Sequence, residues 1–217
     1  MALIFVRHGE NEANLLERMT FLAPGAPLTE RGLRQAEALA DMMSVRRVRA
    51  VYTSPLMRAA QTADVIARRC GQEAIADHGL AELRIPDLEG VELAEGLAVL
   101  GPIWGRWLLD GDLDHRPFPT AESATEVLAR FCTTLDRIAT AQLIAAGVAT
   151  DSGDVVIVTH SGVLQLCVPL TSANLRNRYG IDNPLHNCAT IHTRLAGKSS
   201  LVCDEWDGTR IPEVLSP

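Results

Sequence analysis

A histidine beside an arginine is the feature of this chain that points most clearly to chemistry. His8 follows a short apolar run and lies between Arg7 and Gly9. A neutral imidazole can attack phosphorus as a nucleophile. A phosphoryl group in transfer spreads negative charge over three oxygens, which nearby cations stabilise. Arg7, Arg58 and a protonated or hydrogen-bonding His160 could supply that stabilisation, since arginine binds phosphoryl oxygens through two parallel hydrogen bonds. These residue types predict phosphoryl transfer through His8.

The elements that must position these side chains are strands. Residues 3–6, 50–53 and 155–158 are short runs rich in apolar and β-branched residues, with the pattern of strands buried on both faces. Helical segments between them indicate an α/β fold with a mainly parallel sheet covered on both faces. Ligands bind at the carboxyl ends of strands in such folds. His8, Arg58 and His160 each follow shortly after one of these strands, so we expect them to share one edge of the sheet.

Three stretches have helical periodicity and suitable end residues: 29–44, 54–69 and 121–145. The first begins with Thr29 as N-cap, and Leu33 is the first apolar residue of its predicted buried face. The second is expected to begin with Ser54 as N-cap and Pro55 at the first helical position, and to end before Gly71. These helices would form the two outer layers.

Residues 83–118 interrupt the alternation of strands and helices and are rich in glycine. We expect a small insertion over the active site, within a single domain spanning residues 1–217. Two alternatives stay open for Trp104 and Trp107: a helix packed on the core, or a hydrophobic wall that selects the organic part of a ligand. Arg116, next to His115, is a further candidate for substrate contact.

Composition excludes several classes of protein. The net charge of −7 and the lack of a basic patch argue against nucleic-acid binding. Five scattered cysteines without CxxC spacing indicate reduced thiols and neither a disulfide framework nor a metal site. No stretch approaches the roughly 20 apolar residues that span a bilayer, and the first residues do not resemble a signal peptide. We therefore expect a cytoplasmic protein without a membrane segment, metal or cofactor.

Seven segments, in order along the chain, carry a resemblance to a known family. They are residues 7–10 with Asn14, 27–36, 52–63, 80–90, 121–123, 156–163 and Asn187. Together they resemble the signature of the histidine phosphatase superfamily, the phosphoglycerate-mutase-like proteins. The resemblance implies a three-layer α/β/α sandwich. It also implies that the substrate is a phosphate ester and that the phosphoryl group forms a covalent intermediate on His8.

The resemblance implies a role for each matching residue. Arg7, Arg58 and His160 would surround the phosphoryl group held by His8. Glu82 would be the general acid for the leaving alcohol and then the base that activates water.

Five more residues match substrate-binding positions of the family: Asn14, Glu10, Asn11, Ser161 and Gly162. Asn14 would donate a hydrogen bond to a phosphoryl oxygen. Asn11 stands where many relatives carry Thr or Ser, and Gly162 would serve backbone geometry.

Departures from the family pattern favour hydrolysis over isomerisation. The mutases of the family carry an Asn-Lys pair after the acid segment and an arginine pair in an insertion. Here Gly90 is followed by Val91, and Lys198 is the single lysine of the chain. We therefore expect a small-molecule phosphomonoesterase. A mutase, a protein phosphatase and a non-catalytic phospho-ligand binding module stay as alternatives, and a homodimer is compatible with the sequence.

Overall fold

A mixed β-sheet forms the centre of the computed structural model, which describes residues 2–146 and 153–213. In these residues the strands are β1 Ala2–Arg7, β2 Val48–Thr53, β3 Ala74–Ala76, β4 Asp154–Thr159, β5 Thr190–Gly197, β6 Ser200–Trp206 and β7 Thr209–Arg210. Their order in the sheet is β3-β2-β4-β1-β5-β6-β7. The first four strands in this order run parallel to one another. The pairs β1–β5, β5–β6 and β6–β7 are antiparallel.

Helices cover both faces of this sheet. They are α1 Glu12–Leu15, α2 Glu30–Ser44, α3 Met57–Arg69, α4 Leu93–Leu108, α5 Ala124–Ala146, α6 Ser161–Thr171 and α7 Tyr179–Asp182. Buried residues of α2 and α3 join one hydrophobic cluster with one face of the sheet, and those of α4, α5 and α6 join a second cluster on the opposite face. The predicted three-layer α/β/α sandwich with a mainly parallel core is confirmed.

The unbroken apolar runs follow from this double coverage. In β1, Leu3 and Phe5 belong to the cluster beneath α5, while Ile4 and Val6 belong to the cluster beneath α2 and α3. The ring of Phe5 lies 5.7 Å from that of Phe131 on α5, between ring centroids. Side chains alternate between the faces of a strand, so a strand buried on both faces needs apolar residues at every position.

The predicted helix at 54–69 begins two residues later than expected, with Met57 in place of Pro55 as its first residue. Ser54 is not its N-cap, because the Ser54 hydroxyl accepts the Leu56 backbone N–H and bonds the imidazole of His160. The end is confirmed: the helix finishes at Arg69, and Gly71 adopts a positive φ of 67°.

The predicted inner face of α2 needs one correction. Thr29 is the N-cap as expected, since its hydroxyl accepts the Gly32 backbone N–H. Leu33, however, is 41% exposed. Gly32 takes the inner position instead, because a Cβ there would lie 1.9 Å from the Glu10 carbonyl oxygen. The helix approaches the Glu10 backbone more closely than a leucine side chain allows.

Two further differences concern the second half of the chain. The helix predicted from residue 121 begins at Ala124, after a capping box in which Ser123 and Glu126 bond each other's backbone N–H. The antiparallel strands β6 and β7 were not predicted. In β6, Leu201 and Cys203 point inward at every second position, which is the period of a strand with one buried face.

The predicted insertion at 83–118 contains helix α4, which packs on the core through Leu100, Ile103 and Trp107. Within the described ranges, no helix combines the length and apolar character needed to cross a membrane.

Candidate active site

A cavity of about 180 Å³ lies at the carboxyl ends of the central strands. Arg7 and His8 reach it from the end of β1, and Ser161 from the end of β4. Arg58 enters from the first turn of α3, the helix that follows β2. The rule for strand ends therefore correctly brings these segments together at one edge.

His8 is a buried, neutral imidazole with a defined tautomer. Its Nδ1 lies 2.7 Å from the Gly9 carbonyl oxygen, which only accepts hydrogen bonds, so Nδ1 carries the proton. Nε2 is then the atom with a lone pair, and it accepts a 3.1 Å hydrogen bond from Arg58 Nε. Burial, followed by the charges of Arg58 and Arg7, holds the pKa of His8 well below its usual value. Nε2 is therefore unprotonated at neutral pH.

The two arginines keep N–H groups that no residue described by the structure engages. Arg7 donates from Nη1 to the Leu185 carbonyl oxygen, while its buried Nε lacks a partner. Arg58 donates from Nη2 to the Thr20 carbonyl oxygen, while its buried Nη1 lacks one. Burial lowers the pKa of Arg58 to about 10, partly offset by Glu82 and Glu89, so the guanidinium stays charged at neutral pH. An oxyanion in the cavity would satisfy these donors.

His160 contributes a hydrogen bond and not a second positive charge. Its Nε2 lies 2.7 Å from Ser54 Oγ, and its ring centroid lies 5.3 Å from that of His8. Burial, followed by the charge of Arg58, holds the pKa of His160 well below its usual value. Ser54 Oγ also accepts the Leu56 N–H. His160 Nδ1 is buried without a partner among the described residues.

Glu82 lies across the cavity floor, with its carboxylate bound to backbone N–H groups. Oε1 accepts from Leu83 and Val163 at 2.9 and 3.1 Å, and Oε2 accepts from Gly162 at 3.3 Å. A carboxylate offers about four acceptor sites, so this arrangement leaves room for a proton. A Cβ at Gly162 would lie 2.6 Å from Oε1, so the close approach of Glu82 requires glycine at this position.

Arg130 on α5 fixes the backbone that carries Glu82. Its guanidinium donates to the carbonyl oxygens of Gly79, Ala81 and Glu82 at 2.7 to 3.0 Å. It also pairs with Glu122 through two hydrogen bonds. All five N–H donors of a guanidinium lie in one plane, so this arrangement holds the segment in a single orientation.

Hydrogen-bonded asparagines from distant parts of the sequence lie at the site. Asn14 lines the cavity, and its Oδ1 accepts from Asn187 Nδ2 at 3.2 Å and from the Asn11 backbone at 3.3 Å. With Oδ1 engaged in this way, the Asn14 amide N–H group is the part left for a ligand. Asn187 also donates to the His8 carbonyl oxygen at 3.1 Å, so it helps to fix the His8 backbone.

The structure separates the predicted substrate-binding residues into two groups. Asn14, Ser161 and Gly162 line the cavity. Glu10 and Asn11 do not line it. The Glu10 carboxylate instead bonds Thr29 and Arg31, and Asn11 is the fully buried N-cap of α1.

The two tryptophans differ in their placement. Trp107 is buried and donates from Nε1 to the His115 carbonyl oxygen, whereas Trp104 lines the cavity. Arg116 pairs with Glu126 and does not line the cavity.

Sequence reasoning missed Ser54, Arg130 and Arg18 as parts of the site. Arg18 lines the mouth of the cavity and donates weakly, at 3.4 Å, to the Gly90 carbonyl oxygen. Polarity at the end of a strand was the available signal for Ser54. No local signal marks Arg130, since the carbonyl oxygens of Gly79 and Glu82 that it binds lie about 50 positions away in the chain. No group of three or more His, Cys, Asp or Glu residues in the described ranges could hold a metal ion.

Comparison with known proteins addresses the family. Residues 3–204 match the model of the histidine phosphatase superfamily, branch 1. Proteins named "Probable phosphoglycerate mutase GpmB" are 35% identical over 130 residues in Proteus mirabilis and 36% over 127 residues in Serratia proteamaculans. These matches cover 60% and 58% of this chain, and the chain spans only 59% and 58% of those relatives.

Two of the solved structures with the same fold are phosphatases by name. A mycobacterial glucosyl-3-phosphoglycerate phosphatase in complex with VO3 aligns with a TM-score of 0.80 at 22% identity, covering 95% of this chain and 98% of the other. A phosphoserine phosphatase mutant from Entamoeba histolytica aligns with a TM-score of 0.70 at 21% identity, over 96% and 97%. At this identity the likeness shows the fold. The match of the family model over residues 3–204 shows that the chain belongs to the histidine phosphatase superfamily, branch 1.

Proposed function

We propose that this protein is a metal-independent phosphomonoesterase that hydrolyses small-molecule phosphate esters through a phosphohistidine on His8. The observation that carries the proposal is the state of His8: buried, neutral, and held by the Gly9 carbonyl in the tautomer with a lone pair on Nε2. A nucleophile must be unprotonated at the attacking atom before it attacks. The free N–H groups of Arg7 and Arg58 support the same reading, because they suit an oxyanion.

The first half-reaction transfers the phosphoryl group to the enzyme. Arg58 Nε leaves His8 Nε2 for a phosphoryl oxygen, and Nε2 attacks phosphorus. The P–O bond to the organic group breaks, and the departing oxygen takes a proton from Glu82. Charge on the three remaining phosphoryl oxygens is stabilised by Arg7, Arg58 and a hydrogen bond from His160.

The second half-reaction releases phosphate. Glu82, now a carboxylate, takes a proton from water as the water oxygen attacks phosphorus. The P–N bond breaks, and its electron pair returns to Nε2. Inorganic phosphate leaves, and His8 is again neutral. Glu82 thus acts as acid and then as base, and each role is worth roughly 10²–10⁴ in rate.

The names of the sequence relatives favour a phosphoglycerate mutase as the second candidate. A mutase must retain an acid product while the phosphoryl group returns to it. Among the cavity-lining residues, the cations are Arg7, Arg58 and Arg18, and the first two lie around the phosphoryl position. A single exposed Arg18 is a weak holder of a second anionic group, so hydrolysis is the better-supported reaction.

Phosphate release from a broad panel of phosphomonoesters, with chelator present, tests the proposal. Wild-type protein should hydrolyse some members, and His8→Ala should hydrolyse none while retaining its fold. Quenching of the wild type with alkaline denaturant should trap a phosphoryl group on the protein that is stable in base and lost in acid. A coupled isomerase assay with 3-phosphoglycerate separates the two candidates, and turnover there without phosphate release would show a mutase.

Glu82→Gln tests the general acid. This variant should lose at least 10²-fold on an alkyl phosphate and much less on p-nitrophenyl phosphate, whose leaving group needs little protonation. Equal losses on both esters would contradict the assigned role.

A further inference from the structure

One wall of the cavity is apolar from floor to mouth. It consists of Met19, Phe21, Leu83, Leu93, Leu97, Leu100 and Trp104. Phe21, Leu83 and Leu100 are buried, whereas Leu93 and Leu97 are 38% and 54% exposed. Large apolar side chains that line a concave, solvent-filled surface are typical of ligand sites. The wall is therefore positioned to contact whatever is attached to the phosphoryl group.

Helix α4 carries most of this wall and is seated firmly. Its Gly96 packs against Met19, whose sulfur would lie 2.1 Å from a Cβ at that position. The Leu93 N–H donates to the Glu17 carbonyl oxygen at 2.8 Å. Trp107 is buried on the core side, and the ring of Trp104 packs edge-on against it with centroids 5.6 Å apart. A ligand would meet a preformed surface, so little ordering is needed when it binds.

The charges around the cavity are separated from this wall. Arg7, Arg58 and Glu82 surround the phosphoryl position on the floor, and Arg18 lies at the mouth. No other acidic, lysine or arginine side chain in the described part of the chain lines the cavity. Away from Arg18, a carboxylate or ammonium on the organic group would lie against leucines without a partner, which is unfavourable.

From this wall we infer that the substrates are phosphomonoesters of uncharged, apolar alcohols or phenols, that is, alkyl or aryl phosphates whose organic group packs on Leu93, Leu97 and Trp104. The inference rests on the proposed phosphatase function for its catalytic consequence. It concerns binding, however, and can be measured without turnover.

Calorimetric titration with n-alkylphosphonates, which bind but cannot be hydrolysed, tests the apolar wall directly. Transfer of one methylene from water to an apolar surface corresponds to about a fourfold gain in affinity. We expect Kd to fall by about two- to fourfold per methylene from ethyl- to hexylphosphonate. 3-Methylbutylphosphonate should bind at least tenfold more tightly than 3-phosphonopropionate, which has nearly the same shape but carries a carboxylate. A flat series, or tighter binding of the carboxylate, would overturn the inference.

Two matched variants locate the effect. Leu97→Ser should reduce the gain per methylene to below twofold while leaving inorganic phosphate affinity unchanged. Leu109→Ser removes a leucine that is 60% exposed at the end of the same helix and does not line the cavity, so it should retain the wild-type series. Equal series for Leu97→Ser and wild type would contradict the assignment of the wall.

The same series distinguishes failure of the inference from failure of the proposed function. A clear chain-length dependence for the phosphonates, without hydrolysis of any ester, would refute the phosphatase and leave the apolar site standing. Hydrolysis of esters with no preference for apolar groups would support the phosphatase and refute the apolar site.

Discussion

Replacing Gly162 by alanine adds one methyl group beside the proposed general acid. The new Cβ would lie 2.6 Å from Glu82 Oε1 and 3.1 Å from the carboxylate carbon, where ordinary contacts begin at 3.4 Å. The carboxylate must therefore move by about 0.8 Å. Since Oε1 is held by the Leu83 and Val163 N–H groups, such a shift also stretches those two hydrogen bonds.

The expected loss of activity follows from this displacement. A misplacement of about 1 Å can lower the rate by roughly 10²-fold, so kcat on n-butyl phosphate should fall by about 10- to 100-fold. The loss on p-nitrophenyl phosphate should stay below about fivefold, because its leaving group needs little protonation. Stability should change little. Alanine within a helix is worth up to about 1 kcal/mol over glycine, and this gain offsets the weakened hydrogen bonds of about 0.5–1.5 kcal/mol each.

Phosphate release measures both rates, and urea unfolding measures stability. Gly105→Ala is the matched control, since Gly105 is a glycine of helix α4 with no atom within 4 Å of the added methyl group. This control should keep wild-type rates and gain about 0.5–1 kcal/mol of unfolding free energy. An unchanged rate of Gly162→Ala on n-butyl phosphate, or an equal loss on both esters, would refute the placement of Glu82 as the proton donor.

Two further predictions concern stability and the support of Glu82. Because the folded protein holds the pKa of His8 well below 6.5, the unfolded chain binds a proton there as pH falls and the folded chain does not. The free energy of unfolding should therefore decrease as the pH falls below about 6.5. In His8→Gln, this free energy should fall by up to about 1.4 kcal/mol less per pH unit than in wild type. The same pH dependence in both proteins, measured by urea unfolding from pH 7 to 5, would contradict this prediction. Arg130→Met removes three hydrogen bonds to the segment carrying Glu82, so it should lower the unfolding free energy by about 2–4 kcal/mol and slow n-butyl phosphate more than p-nitrophenyl phosphate. The control Arg106→Met removes an exposed arginine paired with Asp112 and should cost less than about 1 kcal/mol, and equal loss on both esters in Arg130→Met would show a purely structural role.

The parts of the fold and site that could be predicted are those set by local pattern. The strand at 155–158 is marked by an unbroken β-branched run, and its buried position on both faces follows from that composition. The convergence of His8, Arg58 and His160 follows from the rule for parallel strand ends. Thr29 as N-cap is likewise a local signal that no distant contact overrides.

The parts that could not be predicted depend on distant partners. Ser54 has the local signature of a helix cap, but its hydroxyl bonds His160, 106 positions away. Leu33 fits the helical period, yet the close approach of Gly32 to the Glu10 backbone turns the helix and leaves Leu33 exposed. The sequence around Trp104 and Trp107 is compatible with either residue facing the core or the cavity. Only the packing of the helix shows which one faces which.

The position of β1 has a consequence for biosynthesis. This strand leaves the ribosome before its neighbours, but it lies at the centre of the sheet and pairs with β4 and β5. The hydrogen bond between Thr193 and Leu3 closes a separation of 190 positions. At a translation rate of about 5–20 residues per second, the apolar run at 3–6 waits roughly 10–40 s for that partner. The same strand carries Arg7 and His8, so these two residues take their final places only after the later strands have been made.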